Sequence, residues 1–248
     1  MKIAVAGGTG VVGSRTVEAL RAAGHEAVVL SRSQGVDLVT GSGLEAALSG
    51  VDAVIDTVNI STLKAAAAIE FFTASTGNLV SAASSAGVQH VVLLSIVGID
   101  RIPYDYYAGK LAQEKLVQAS RVPWTIQRAT QFHEFAAQTY AIAKAGPVHL
   151  APNARTQPVA ASEVGARLAA LAAGEPRGRA TDFAGPREES LAEMIRAYAR
   201  SQGHRGWIPA VNLPTKQLRG MRAGLALPEP GADLGHQTFD EWLAERAR

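Results

Sequence analysis

Tyr106 and Lys110 stand four residues apart in the stretch YDYYAGK, and Ser95 closes the run HVVLLS eleven residues before Tyr106. On a helix, side chains at i and i+4 share a face, so this spacing sets an ammonium beside a phenol. Such a neighbour favours the phenolate and makes the tyrosine a usable proton donor or acceptor near neutral pH. A serine hydroxyl nearby would hold a carbonyl oxygen. The same pattern also suits an amphipathic helix with Tyr106 and Lys110 at its surface and Ala108, Leu111, Ala112 and Leu116 on an opposite, apolar face.

A second set of residues is defined by what it lacks. The chain begins MKIAVAGGTGVVGSRTVEAL and places Gly7, Gly8, Gly10 and Gly13 within thirteen residues. Before them, Ile3, Ala4, Val5 and Ala6 form an apolar run too short for a helix and suited to a buried strand. After them, Val12, Thr16, Leu20 and Ala23 recur at helical spacing, and Gly24 supplies a stop. Glycines between a strand and a helix allow the backbone to approach a nucleotide diphosphate, whose charge the helix N-terminus favours. Gly7, Gly10 and Gly13 are the candidates, in the spacing GxxGxxG rather than GxGxxG. The next strand, 27–30 in EAVVLSRS, is followed by Arg32, where an NAD-preferring site would carry Asp or Glu. A guanidinium there suits a 2′-phosphate; a solvated surface arginine is the alternative.

These groups need a scaffold, and strand and helix patterns alternate along the chain, which predicts parallel βαβ units in an α/β, doubly wound sheet. Further strands are expected at 36–39, 51–58, 90–95 and 124–128. Helices are expected at 61–86, with Ile69, Phe72, Leu79, Val80 and Ala83 sharing a face and Gly77 as a point of kinking, and at 104–120. In open α/β sheets ligands sit at the carboxyl ends of the strands, which is where Ser95 falls. Past Arg128 the alternation loosens. The reading is one domain, 1–248, with a dinucleotide-binding core at 1–130 and remaining sheet elements plus pocket or lid segments at 131–248.

Composition narrows the function. The 248 residues carry 24 Lys and Arg against 22 Asp and Glu, with no basic cluster, so a nucleic-acid partner is not expected. With no cysteine in the sequence, disulfides, thiol catalysis and thiolate metal sites are excluded. No run approaches the roughly 18 apolar residues of a spanning helix, and MKIAVAGG is too short for a signal peptide, so a cytoplasmic protein with no membrane partner is expected. His149, His204 and His236 show no metal-ligand spacing, and no metal is expected. His133, just after the 124–128 strand, is a candidate to touch substrate. The tail with Trp207, Pro209 and Trp242 supplies a lid or simply packs.

In this order and at these intervals, GGTGVVG, Arg32, VDLVTG, LSIVGID, YYAGK and WTIQRATQF resemble the short-chain dehydrogenase/reductase superfamily, and more narrowly its atypical, NmrA-like branch of NAD(P)-binding proteins. The likeness is close over residues 1 to 165 and loose beyond. It implies a Rossmann fold with a small C-terminal substrate-binding region. It also implies that Thr9, Val11 and Val12 join the glycines around the cofactor, that Asp37 and Leu38 flank the adenine, and that Thr57, Val58 and Asn59 pass beneath it. Lys110 would bind the nicotinamide ribose. Ala129 and Thr130 would line the nicotinamide end, with Phe132 beside His133 on the substrate side. The serine-to-tyrosine interval is shorter than in well-studied catalytic members, which leaves open whether Tyr106 or Tyr107 faces the nicotinamide.

The expected activity is NADPH-dependent transfer of hydride to a small carbonyl or quinone, with Ser95 and Tyr106 assisting and Lys110 orienting the cofactor. NAD(H) is the alternative cofactor. The rival reading is a non-catalytic dinucleotide-binding sensor that acts through a partner protein. The oligomeric state stays open, a homodimer among the options.

Overall fold

The computed structural model describes residues 1–62, 64–102 and 105–246, so Tyr104, the first residue of one expected helix, lies outside the described residues. The chain forms two compact units. The first comprises Met1–Ile96, Tyr104–Arg128 and Ser162–Thr181; the second comprises Val97–Pro103, Ala129–Ala161 and Asp182–Arg248.

In the first unit the elements run β1 (Lys2–Ala6), α1 (Val11–Ala22), β2 (Glu26–Leu30), α2 (Leu44–Ala47), β3 (Ala53–Asp56), α3 (Ala65–Ser85), β4 (His90–Ile96), α4 (Asp105–Gln118) and β5 (Trp124–Ala129, its last residue already in the second unit), with a later helix, Ala161–Ala172, whose first residue is likewise of the second unit. The strands form a parallel sheet in the order β2-β1-β3-β4-β5. Strands buried on both faces read as continuous apolar runs, which is why IAVA and AVID were recognisable. Phe72 and Leu79 of α3 pack with Val54, Val91, Leu93 and Ile126 from the sheet. Register fixes the geometry that matters for function: Ala6 pairs with both Leu30 and Asp56, and Asp56 pairs with Leu93. The residues that follow, Gly7, Ser31, Thr57 and Leu94, are thereby brought to one end of the sheet.

Several expectations are corrected. No strand forms at 36–39; the Asp37 carboxylate accepts hydrogen bonds from the Val39 and Thr40 N–H groups, and a side chain that caps its own backbone competes with strand pairing. Among the described residues, no strand pairs with the outer edge of β2. The 51–58 strand shortens to Ala53–Asp56, and the 61–86 helix begins at Ala65. Ile69 is exposed, and Ala68 is buried in its place. There α4 comes so close that a Cβ on Gly109 would lie 2.7 Å from the Ala68 carbonyl carbon. Gly77 lies within an unbroken helix. Ala23 is exposed, beside Gly24 at φ +79°.

The face of α4 is also reversed. Tyr107, Gly109, Lys110, Gln113, Glu114 and Val117 are buried, whereas Ala108, Leu111, Ala112 and Leu116 are only half-buried. Buried polar groups are tolerated where each finds a partner, and the partners come from distant segments.

The second unit has helices Glu134–Ile142, Leu191–Ser201, Lys216–Arg222 and Phe239–Arg246 joined by short strands. Phe183–Ala184 pairs in parallel with Asp233–Leu234, and Phe183 lies opposite Ala129. Trp242 is buried, while Trp207 is exposed. Among the described residues no helix is long and apolar enough to cross a membrane.

Candidate functional site

The glycine turn follows from steric need. Gly7 has φ +75°, a conformation that side chains rarely adopt, and its N–H donates to the Leu30 carbonyl at the end of β2. Gly10 caps α1 in an extended conformation and donates to the Gly7 carbonyl at 2.8 Å. A Cβ on Gly13 would lie 2.1 Å from the Gly7 oxygen and 2.8 Å from Thr57 Oγ1, so only glycine allows the helix to begin this close to the strand. Val12 is buried, and Thr9, Gly10 and Val11 are exposed. The first turn of α1 carries no acidic residue. Bare main chain, a helix N-terminus and no opposing carboxylate in that turn suit a diphosphate.

Arg32 is exposed at the start of the single turn that follows β2. Because the Leu30 carbonyl accepts from the Gly7 N–H, Arg32 stands two residues past the strand end that meets the glycine turn. Asp37 and Leu38 lie in the loop beyond, where Asn78 of α3 donates to the Leu38 and Val39 carbonyls.

After β3, Thr57 donates to the Ala6 carbonyl through both its N–H and its hydroxyl, closing the floor beneath Gly7. The Val58 N–H donates to Asp56, and Asn59 is exposed. Tyr106 donates its hydroxyl to Asn59 Oδ1 at 2.6 Å. Tyr106 is half-buried, whereas Tyr107 is only 3% exposed, so of the two neighbours Tyr106 stands with the Thr57–Val58–Asn59 segment.

Lys110 and Ser95 are set apart by burial. The Lys110 ammonium donates to the Leu94 carbonyl at 2.8 Å and to Gln113 Oε1, and stands 4.9 Å from the centre of the Phe72 ring. Among the described residues these two bonds use two of its three donors. Burial pulls its pKa down to about 8 against the opposing pull of Asp56 and Glu114. Ser95 is 2% exposed and lies against the Glu114 carboxylate, which Arg128 grips with two bonds of 2.8 Å. Burial pushes Glu114 up, but the two-bond grip of Arg128 outweighs it and holds the carboxyl below its usual range. The Ser95 hydroxyl makes no hydrogen bond among the described residues, to Tyr106 or to any other group.

The remaining candidates belong to the second unit. Ala129 is buried, and its carbonyl accepts from Val97 N–H. Thr130 donates its hydroxyl to the Gln157 carbonyl. Phe132 is half-buried and bridges Val159. His133 is fully buried between Phe239 and Trp242, with Nε2 3.1 Å from the Gln237 carbonyl. That environment is a packing environment rather than a substrate surface.

Sequence spacing missed two clusters. One is Asp56, Thr76 and Gln113, which surround Lys110 from three elements. The other joins Tyr140, stacked on His149 at 4.0 Å, to His204 through its hydroxyl. Among the described residues no group of three or more His, Cys, Asp or Glu side chains could hold a metal.

The comparisons agree with this geometry. A family described as NAD(P)H-binding matches residues 7–172. No curated relative matches the sequence. Among solved structures, the Escherichia coli NADPH-dependent quinone oxidoreductase QOR2 with NADPH matches at TM-score 0.74 and 18% identity, over 99% of this chain and 100% of that one. MoeE5 with UDP-glucose and NAD matches at 0.74 and 17%, over 100% and 97%. The Thermus thermophilus UDP-glucose 4-epimerase with NAD matches at 0.68 and 18%, over 100% and 94%. At these identities the structures establish the fold, and the family match covers more than half of the chain, from the glycine turn through the helix that ends at Ala172: the protein is a member of the NAD(P)H-binding family with the fold of the short-chain dehydrogenases/reductases.

Proposed function

We propose that the protein is an NADPH-dependent reductase that passes hydride to a small carbonyl or quinone, with the quinone the better fit. The observation that carries this reading is Arg32, exposed and borne just past the strand whose Leu30 carbonyl holds Gly7. The family match supports a dinucleotide, and the guanidinium supports the extra phosphate of NADP(H).

When bound, NADPH would supply the hydride. The chain's own residues would do the rest by holding and orienting: the Gly7–Gly10–Gly13 turn takes the diphosphate, Arg32 takes the 2′-phosphate, and the third ammonium donor of Lys110 takes a ribose hydroxyl. A quinone asks little more, because its reduced oxygens take their protons from water and positioning supplies most of the catalysis. That suits a site in which the Tyr106 hydroxyl is bound to Asn59 and the Ser95 hydroxyl is buried without a hydrogen bond to it. The engagement of the Tyr106 hydroxyl also favours the second reading, a dinucleotide sensor whose occupied state changes its affinity for a partner protein.

Calorimetry with NADP and NAD on wild type and Arg32→Ala tests the reading. NADP should bind more tightly than NAD, and the variant should lose about 2 kcal/mol of that advantage, about 30-fold. An unchanged preference would refute the role of Arg32. NADPH oxidation across a quinone and carbonyl panel separates enzyme from sensor: cofactor binding without turnover, together with a partner pull-down that depends on NADP, would establish the second reading.

A further inference from the structure

Asp56 ends β3 at 1% exposure, yet its carboxylate is held by groups from three directions. Oδ1 accepts from the Val58 N–H at 3.0 Å. Oδ2 accepts from Thr76 Oγ1 of α3 at 2.8 Å and from Gln113 Nε2 of α4 at 3.0 Å. Gln113, also fully buried, turns its oxygen to the Lys110 ammonium. The orientation of this amide is dictated by its neighbours, since Nε2 faces acceptors in Asp56 and Thr76 while Oε1 faces a donor. The line Asp56, Gln113, Lys110 therefore runs in one sense, from carboxylate to ammonium through one amide.

The charges around Lys110 can be enumerated by element. Asp56 faces it from β3 and Glu114 from its own helix, while α3 offers the neutral Thr76 and Phe72 and β4 the Leu94 carbonyl. Glu114 is already neutralised by the two-bond grip of Arg128. Asp56 is the stronger of the two carboxylates in opposing the effect of burial on Lys110, and Lys110 is in turn the chief group opposing the effect of burial on Asp56. Burial still leaves Asp56 raised and Lys110 lowered, and each opposes the loss of charge that burial imposes on the other.

We propose that Asp56 is the positioning residue for Lys110: acting through Gln113, it keeps the ammonium charged and holds it at the Leu94 carbonyl, where its remaining donor is available to a ribose. The second half of this statement rests on the reading of Lys110 as the ribose-binding residue; the first half does not. Asp56 itself touches no part of the cofactor in this scheme. Its work is done at a distance of one amide.

The test is made on the full chain without cofactor. Protein carrying lysine labelled with ¹³C at Cε is titrated by NMR, with the Lys110 resonance assigned by its absence in Lys110→Met. In wild type the resonance should titrate near pH 8. In Asp56→Asn the midpoint should fall by about one pH unit or more, since the carboxylate that most opposes the effect of burial on Lys110 is gone. Gln113→Met keeps both charges but removes the bridge, and should move the midpoint the same way by less; it also serves if Asp56→Asn does not fold. An unmoved midpoint in either variant would overturn the proposal. NADPH affinity is then followed against pH by calorimetry. If its alkaline limb moves with the Lys110 midpoint, Lys110 holds the cofactor; if the midpoint moves and the limb does not, Asp56 still positions Lys110, and the ribose role falls instead.

Discussion

The glycine turn and the buried face of α4 solve opposite problems a few residues from one another in the sheet register. At the turn, function is made by removing side chains: Gly13 leaves a gap that the Gly7 carbonyl fills, and the main chain is laid open. At α4 it is made by burying polar side chains that a helix would ordinarily show to water, with Lys110, Gln113 and Glu114 each given a partner. The first arrangement is rigid because nothing can move without a clash. The second is rigid because nothing can move without stranding a charge. A steric site is indifferent to pH, and an electrostatic one is not.

Three experiments sharpen the contrast. The largest effect is expected from splitting the buried pair. Lys110→Met should cost about 3 kcal/mol or more in urea unfolding at pH 7, because it leaves the Asp56 carboxylate buried without its cation. The double variant Lys110→Met with Asp56→Asn should recover most of that loss. A single variant as stable as wild type would show that the pair is not an electrostatic unit. Next, Gly13→Ala should cost about 2 kcal/mol through overpacking, since the added carbon meets main chain rather than a flexible side chain. Unlike the first loss, this one should be the same at pH 7 and pH 9.5, and NADPH binding should weaken with it.

The smallest effect is a slope. Lys110 ordinarily titrates at 10.5 in an unfolded chain and is drawn down to about 8 by burial. Between those values the unfolded chain binds the proton and the folded one does not, so this group makes stability rise with pH, by up to about 1.4 kcal/mol per unit. Below pH 8 both states are protonated and the contribution is flat. Urea midpoints between pH 8 and 10 should show the rise in wild type and lose it in Lys110→Met; a slope that survives the variant belongs to another group.

The same contrast explains what was legible. The glycine turn could be read because a positive φ and a close helix approach leave a mark in residue type. The α/β alternation showed through as buried strands with continuous apolar runs. The face of α4 was misread because periodicity assumes that buried means apolar, whereas Lys110 and Gln113 are buried by virtue of Asp56 and Thr76, which lie 57 and 37 residues from Gln113. No local pattern records such pairings. The burial of His133 left no local mark either, since Phe239 and Trp242, the rings that enclose it, lie more than a hundred positions along the chain. The 36–39 strand failed for a local reason that composition hid: Asp37 spends its carboxylate on the next two peptide groups that can reach it.

That loop has one more consequence. With Asp37 curling the backbone away, β2 has, among the described residues, no strand paired to its outer side, while its inner side meets β1, the strand that leads into Gly7. A segment grafted to pair there would widen the sheet at its rim. It would have to leave the length of the loop that follows β2 unchanged, since in that loop Asp37 is tied to its own backbone and Leu38 to α3 through Asn78.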